Sequence, residues 1–204
     1  MARFTTERGF DRLVNFSDAT VAIALTLLVL PLTDLAGEAH RVGAGTLLVE
    51  HFSAIFAFFL SFVVIAVIWY EHHRLFESLV DYDLPLLMLN FVWLLAVVAL
   101  PFSTEANQQS SSDDRVSLAL YIGNLLLSFV AIAAMRVAAL RDPHIIHADR
   151  RADFRLGPSI ALVGLGTIAL ILAVSVPVIG MWSLFLLTLT GRVSRLLRRV
   201  RGSR

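Results

Sequence analysis

Three apolar runs of the sequence carry polar groups at places where such groups are costly. The first, RLVNFSDATVAIALTLLVLPL (residues 12–32), opens with Arg12, Ser17 and Asp18. The second closes with WYEHHRLF (residues 69–76), which supplies Trp69, His72 and His73, and the third carries Asn90. A charge at the centre of a membrane helix costs roughly 2.5–3.5 kcal/mol on insertion scales, and less near the edge. Asp18 therefore needs a partner. A carboxylate, a hydroxyl, an imidazole and an indole N–H at one depth form a hydrogen-bonded cluster, and Arg12 is placed to close it from below. Asp18 beside Ser17 is also a natural helix N-cap in a favourable position for the dipole, and capping is compatible with clustering. Ionisable groups at this depth also fit a proton relay, so a proton-coupled secondary transporter using Asp18 with His72 or His73 is a second reading.

The elements that hold these groups follow from composition. The chain has 204 residues, of which 57% are apolar, and its charges are clumped between long apolar runs. Each run approaches the ~20 residues needed to cross a bilayer. The pattern predicts an all-α polytopic membrane protein forming one domain of six transmembrane helices, over about residues 16–32, 47–70, 84–102, 116–140, 158–176 and 178–197. Pro177 makes the turn between the last two, because proline removes a backbone donor. The first run is read as a retained helix rather than a signal peptide, since Glu7, Asp11 and Asp18 sit where such a peptide is basic or apolar.

All the basic residues other than histidine are arginines. With six spans, fourteen fall on the side of the termini and two, Arg41 and Arg115, on the other, with Arg136 left at the end of the fourth run. Positive residues stay in the cytoplasm, so both termini are expected there. The arginine-rich tail reads as an orientation and anionic-lipid signal, making membrane lipids rather than nucleic acid the partner.

The first helix has two faces. At roughly 100° per residue, Ile23, Thr26, Leu27 and Leu30 share one arc, continued by Ala19, Phe16 and Arg12, whereas Asp18 points about 120–140° away. Such a stripe reads most simply as a lipid-facing or core face. It also fits a hydrophobic constriction, in which bulky aliphatic rings exclude water. One small bundle cannot surround such a path, so a pore would lie on a symmetry axis between copies.

Arg12, then Phe16-Ser17-Asp18, then ATVAIALTLLVL, resembles the signature of the prokaryotic relatives of transmembrane protein 175, the endosomal and lysosomal potassium channel of animals. WYEHHRLF and LNFVWLLAVVALPFST (residues 89–104) are similar to the same family. The resemblance implies a homotetramer, because the signature occurs once. It implies a potassium channel in a bacterial or archaeal cell membrane, with the first helix lining the pore. Ile23 would be the narrowest ring, with Leu27 and Leu30 above it. Thr26 matches a threonine layer associated with potassium preference. Arg12, Phe16, Ser17 and Asp18 belong to the signature, and Trp69, His72, His73 and Asn90 to the network behind it. Thr20 stands where a larger apolar residue is usual, and Pro31 where an acidic one often sits.

Other chemistries find little support. The chain has no cysteine, hence no disulfide and no thiol nucleophile. His144 and His147 sit in a charged loop without further ligands at diagnostic spacing. His51 and His72 lie at opposite ends of one helix and cannot clamp a haem. No zincin, nucleophile-elbow or P-loop motif is present. No enzyme activity and no cofactor are expected; potassium is the permeant ion. Gly164 and Gly166 read as small residues for close helix packing.

Overall fold

The computed structural model describes residues 7–37, 43–110, 114–151, 154 and 156–175. These residues are helical, apart from their connections. The helices are α1 (Glu7–Leu27), α2 (Leu30–Ala36), α3 (Ala44–Glu50), α4 (Phe52–Phe76), α5 (Leu84–Gln109), α6 (Arg115–Arg141) and α7 (Gly157–Ser175), with a 3₁₀ turn at Pro143–Ile145. Four stretches are long and apolar enough to cross a membrane: Arg8–Thr33, Phe52–Phe76, Leu84–Gln109 and Arg115–Arg141; Ser159–Leu172 is shorter. The sixth run expected at residues 178–197 and the turn at Pro177 lie outside the described residues.

The helix limits depart from the apolar runs for local reasons. Helix α1 begins at Glu7, about two turns before the apolar run, because Arg8, Asp11 and Arg12 continue the helix without adding hydropathy. It stops after Leu27, since the ring of Pro31 would meet the Leu27 carbonyl. The chain restarts as α2 with Pro31 in its first turn, where a missing N–H costs nothing. Between α3 and α4 the axis bends at His51, yet the Ile55 N–H still donates to the His51 carbonyl at 3.1 Å. Asp83 caps α5 by accepting the Leu86 N–H at 2.9 Å. Asp114 caps α6 through the Val116 N–H at 2.9 Å, and these donors hold its carboxyl below the usual carboxylate value.

Helices α5 and α6 make the most extensive pairing, α7 lies on α6, and α1 and α4 lie against α5. The core between them is filled by Ile65, Ile68, Leu86, Trp93, Val97, Tyr121, Leu125, Phe129 and Ile132, each essentially inaccessible. A polar belt crosses it: the Ser61 and Tyr121 hydroxyls are 3.0 Å apart, and Thr104 donates to Ser61 at 3.1 Å.

Three segments meet at one end of the bundle. Phe10 of α1 stacks on Phe76 and Tyr82, with centroids at 5.9 and 6.3 Å. The α4–α5 connection pairs with the segment after α6, Val80 N–H donating to Ile145 O at 2.8 Å and His147 N–H to Ser78 O at 3.0 Å. The start of α1, the ends of α4 and α6 and these two connections carry Arg8, Arg12, Arg74, Arg141, Arg150 and Arg151, so this end is rich in arginine, with Asp11, Glu71, Glu77, Asp81, Asp83, Asp142 and Asp149 interspersed.

The two glycines of α7 differ. A Cβ on Gly166 would lie 3.1 Å from Phe129 and 3.3 Å from Leu126, whereas one on Gly164 meets open space. Gly166→Leu is therefore expected to destabilise the α6–α7 packing by about 1–3 kcal/mol through overpacking. Gly164→Leu should leave thermal unfolding in detergent close to wild type.

Candidate pore face and the hydrogen-bond network behind it

Helix α1 is divided lengthwise. Leu13, Ser17, Val21, Ala24 and Leu28 are buried against the bundle. Arg12, Phe16, Ala19, Thr26 and their neighbours on the other arc are exposed. On that arc Ile23 is 61% exposed, Leu30 54% and Leu27 39%, values that leave the stripe without a full partner among the described residues. Thr26 is turned inward on itself: its hydroxyl donates to the Ile23 carbonyl at 2.8 Å. The donor is thus spent on the helix, and the oxygen lone pairs remain as acceptors.

Two separate sets of hydrogen bonds lie behind this face. The first is a directed chain across three helices. Asn90 on α5 donates from Nδ2 to Ser17 Oγ at 2.9 Å, and Ser17 donates in turn to the Leu13 carbonyl at 2.9 Å. The Asn90 Oδ1 therefore accepts, and its partner at 2.8 Å, His72 Nε2 on α4, carries the proton. All three side chains are buried. The His72 ring is further fixed by stacking on Trp93, with centroids 3.7 Å apart and planes 9° from parallel. On its other contact it stacks on Phe76 at 4.3 Å.

The second set is a single bond, from the Trp69 indole Nε1–H to Asp18 Oδ1 at 2.8 Å. Among the described residues no hydrogen bond joins it to the first set, and neither histidine bonds Asp18. His73 faces outward, stacking on Trp69 at 5.2 Å with its Nε2 3.4 Å from Glu77 Oε1. Arg12 is exposed and closes neither set from below: among the described residues no hydrogen bond or ion pair involves it. Phe16 packs edge-on against Phe91 at 6.4 Å, on the flank of α5. Among the described residues no three His, Asp or Glu side chains gather to hold a metal ion.

Sequence reasoning left Arg136 unassigned. It pairs with Glu71, Nη2 to Oε2 at 3.3 Å, and both side chains are largely buried. The signal was available, because a lone arginine inside an apolar run must find a carboxylate at its own depth, and the same end of α4 supplies one. Trp93 was also missed as the plate beneath His72, although it lies one turn from Asn90 on α5.

A family model described as "Endosomal/lysosomal potassium channel TMEM175" matches residues 12–101. A potassium channel of Streptomyces collinus is 32% identical over 162 residues, spanning 72% of this chain and 76% of the relative. The chain belongs to the TMEM175 family. A potassium channel of Chamaesiphon minutus is 31% identical over 167 residues, covering 74% of this chain and 80% of that relative. The human TMEM175, named an endosomal/lysosomal proton channel, is 27% identical over 95 residues, which cover 46% of this chain and 18% of the human one. The crystal structure of the Chamaesiphon lysosomal potassium-selective channel TMEM175 homolog aligns with a TM-score of 0.59 at 26% identity, covering 90% of this chain and 98% of that one. A variant of the potassium channel MtTMEM175, crystallised with a nanobody fusion, aligns at 0.64 with 17% identity and shows the shared fold. The family match falls on α1, α4 and most of α5, the helices that build both hydrogen-bond sets.

Removing the middle of the chain should cost more than removing either end. Asn90→Leu strands the buried His72 N–H, at roughly 1–3 kcal/mol, and also removes the donor to Ser17, whose own hydroxyl proton stays on the Leu13 carbonyl. Trp69→Phe frees only Asp18, which lies nearer the surface. Unfolding of the purified protein should therefore shift further for Asn90→Leu than for Trp69→Phe; the reverse order would show that Asp18 is the anchor of α1.

Proposed function

We propose that the chain forms a potassium-conducting channel, with α1 from each of four identical subunits lining a pore on the symmetry axis. The observation that carries this reading is the unpartnered stripe of α1. Ile23 and Leu27 stand exposed on a helix whose opposite face is locked by buried hydrogen bonds, and Leu30 continues the stripe at the start of α2. A second copy related by rotation brings the same residues into rings, as closed symmetry requires. Ile23, the most exposed of the three, makes the narrowest ring, and one helical turn of about 6 Å separates it from Leu27. Rings of this kind exclude water until they widen. Thr26 offers a layer of hydroxyl oxygens beside the apolar ring and contributes the preference for potassium. The prokaryotic relatives named as potassium channels, and the coverage of most of their length, support the choice of ion.

The arginine-rich end of the bundle faces the cytoplasm, both termini lie on that side of the membrane, and the chain crosses a bacterial or archaeal cell membrane six times. Membrane lipids surround the outer faces of α4 and α6. Ser17, Asp18, Trp69, His72 and Asn90 position α1, helped by Phe16 against Phe91, and do not touch the ion; Arg12 and His73 lie outside that network.

A proton-coupled transporter built on Asp18 and His72 would need a hydrogen-bonded route between them. The split between the Asp18–Trp69 bond and the His72–Asn90–Ser17 chain speaks against one. Proton permeation through the pore itself is a distinct possibility, raised by the naming of the animal relatives as proton channels. Reversal potentials of the reconstituted protein separate these ions. Under opposed potassium and sodium gradients at equal pH, the reversal should move toward the potassium potential. A reversal that follows only a pH gradient would replace potassium by protons.

Two substitutions test the pore face. Ile23→Asn should raise conductance severalfold or hold the pore open, because a polar ring stays wet. Thr26→Ala should lower the potassium-over-sodium ratio with less effect on total current. Unchanged conduction and selectivity in both variants would remove α1 from the ion path.

A further inference from the structure

We propose that a cavity at the arginine-rich end of the bundle binds a phosphate group, presented by the headgroup of an anionic phospholipid. The cavity has a volume of about 270 Å³ and is lined by Arg74, Leu75, Glu77, Ser78, Arg136, Arg150 and Phe154. It lies away from α1, between the end of α4, the end of α6 and the segment that follows α6. It plays no part in the pore, and rests only on this end of the bundle lying at a membrane surface.

Charge comes first. Three guanidinium groups share two carboxylates, which leaves one positive charge in excess, matched to a single phosphodiester. Glu71 sits behind the wall, 3.3 Å from Arg136 and 3.9 Å from Arg74. Glu77, on the rim, lies 3.6 Å from Arg150 and 3.4 Å from His73. These separations are longer than the 2.7–2.9 Å of a strong charged hydrogen bond. Arg74 and Arg150 therefore keep N–H donors in hand, since each guanidinium has five. The Arg74 guanidinium is steadied by the Tyr70 ring, 5.7 Å from its centroid.

Construction comes second. Arg136 lines the cavity with its side chain only 10% exposed, held in place by Glu71. A positive group fixed at the back of a cavity, with two mobile ones at the mouth, is how an anion is gripped rather than merely attracted. Arg150 and Arg74 are about half exposed and can close over the ligand. The third point is depth. Arg136 lies five residues inside the end of α6, or roughly 7–8 Å along the helix axis, within reach of a headgroup that enters from that end. Leu75 and Phe154 give the cavity an apolar wall along which the glycerol and first acyl carbons can lie. Basic pockets between membrane helices on the cytoplasmic side bind anionic headgroups by this combination.

The test uses the full chain purified in mild detergent and mixed with equal amounts of phosphatidylglycerol and phosphatidylcholine. Retained lipid is read by native mass spectrometry. Wild type should keep phosphatidylglycerol in preference to phosphatidylcholine. Arg150→Gln should lower that retention about fivefold, and Arg74→Gln with Arg150→Gln further, by the ~1 kcal/mol per basic residue expected near a membrane surface. Both arginines lie at the surface, so folding should survive, which circular dichroism and assembly size check. Arg136→Gln is a harsher variant and serves only as confirmation. A second arm adds inorganic phosphate without lipid and follows thermal stability. Stabilisation there that Arg150→Gln abolishes, without lipid retention, keeps the phosphate site and makes its source soluble. Equal retention of the two lipids by wild type, or equal phosphatidylglycerol retention by wild type and the double variant, overturns the proposal. Conductance of Arg150→Gln should match wild type, so failure here leaves the pore reading untouched.

Discussion

The rotation of α1 about its own axis is set by one buried contact, the hydrogen bond from Asn90 to the Ser17 hydroxyl. Its net contribution to stability is on the order of 1 kcal/mol, no more than that of many other bonds in the bundle. Its importance lies in what the alternatives cost. A turn of α1 by one residue position, about 100°, would carry Ser17 out of the bundle and leave the Asn90 Nδ2–H without its acceptor, although Asn90 Oδ1 would keep His72. No water replaces Ser17 there, so the buried amide donor would lose its partner outright. The apolar residues of α1 could tolerate that turn, since leucine and isoleucine pack almost equally well in several settings. The polar chain cannot. It therefore converts a greasy helix with no strong facial preference into one whose Ile23 and Leu27 face away from the described bundle.

The rest of the bundle is arranged to hold the two groups on which that contact depends. Asn90 sits on α5, the helix that packs against α1, α4 and α6 together, so its position is fixed from three sides. His72 is held flat between the Trp93 and Phe76 rings, with only the in-plane Nε2 direction left for Asn90. Beyond that layer the bundle is tied at its arginine-rich end, where Phe10, Phe76 and Tyr82 stack and the two connections pair. The Asp18–Trp69 bond runs parallel to the main chain of contacts and lies closer to the surface. Loss of one set does not disconnect the other.

The sequence made the long helices and the two faces of α1 legible, because both rest on periodicity and run length. It grouped Ser17, Asp18, Trp69, His72 and Asn90 by depth alone. Depth cannot say that Ser17 and Asp18, one residue apart, point about 100° from each other and reach different neighbours. Nor can it separate His72 from His73, which lie on different faces of α4; only the tertiary packing sends one into the core and the other toward Glu77. Helix limits were least legible where charge or proline intervened. Glu7 to Phe16 is helical without being apolar, and α4 extends two turns past Tyr70 because His72, Leu75 and Phe76 are buried despite their charged neighbours. Arg136 escaped a charge count that assigns residues to sides, since an arginine paired inside the bundle belongs to neither.

The break after Leu27 gives the proposed constriction a physical boundary. Below it, α1 is a continuous helix pinned by Ser17, so Ile23 and Thr26 are carried on a rigid element with a fixed facing. Above it, Pro31 forces a restart, and Leu30 belongs to a different helix whose orientation is not governed by Asn90. A pore built from these residues is then stiff at Ile23 and free to adjust at Leu30. Stiffness at the narrowest ring suits selection by size, because a ring that yields cannot discriminate between ions of similar charge. Thr26 lies on the rigid side of the break, with its hydroxyl proton bound to the Ile23 carbonyl. That bond fixes the oxygen without consuming its lone pairs, so in the proposed pore the layer would be preorganised as an acceptor for a cation. Ring and hydroxyl layer are linked through that carbonyl, and a shift in one is transmitted to the other.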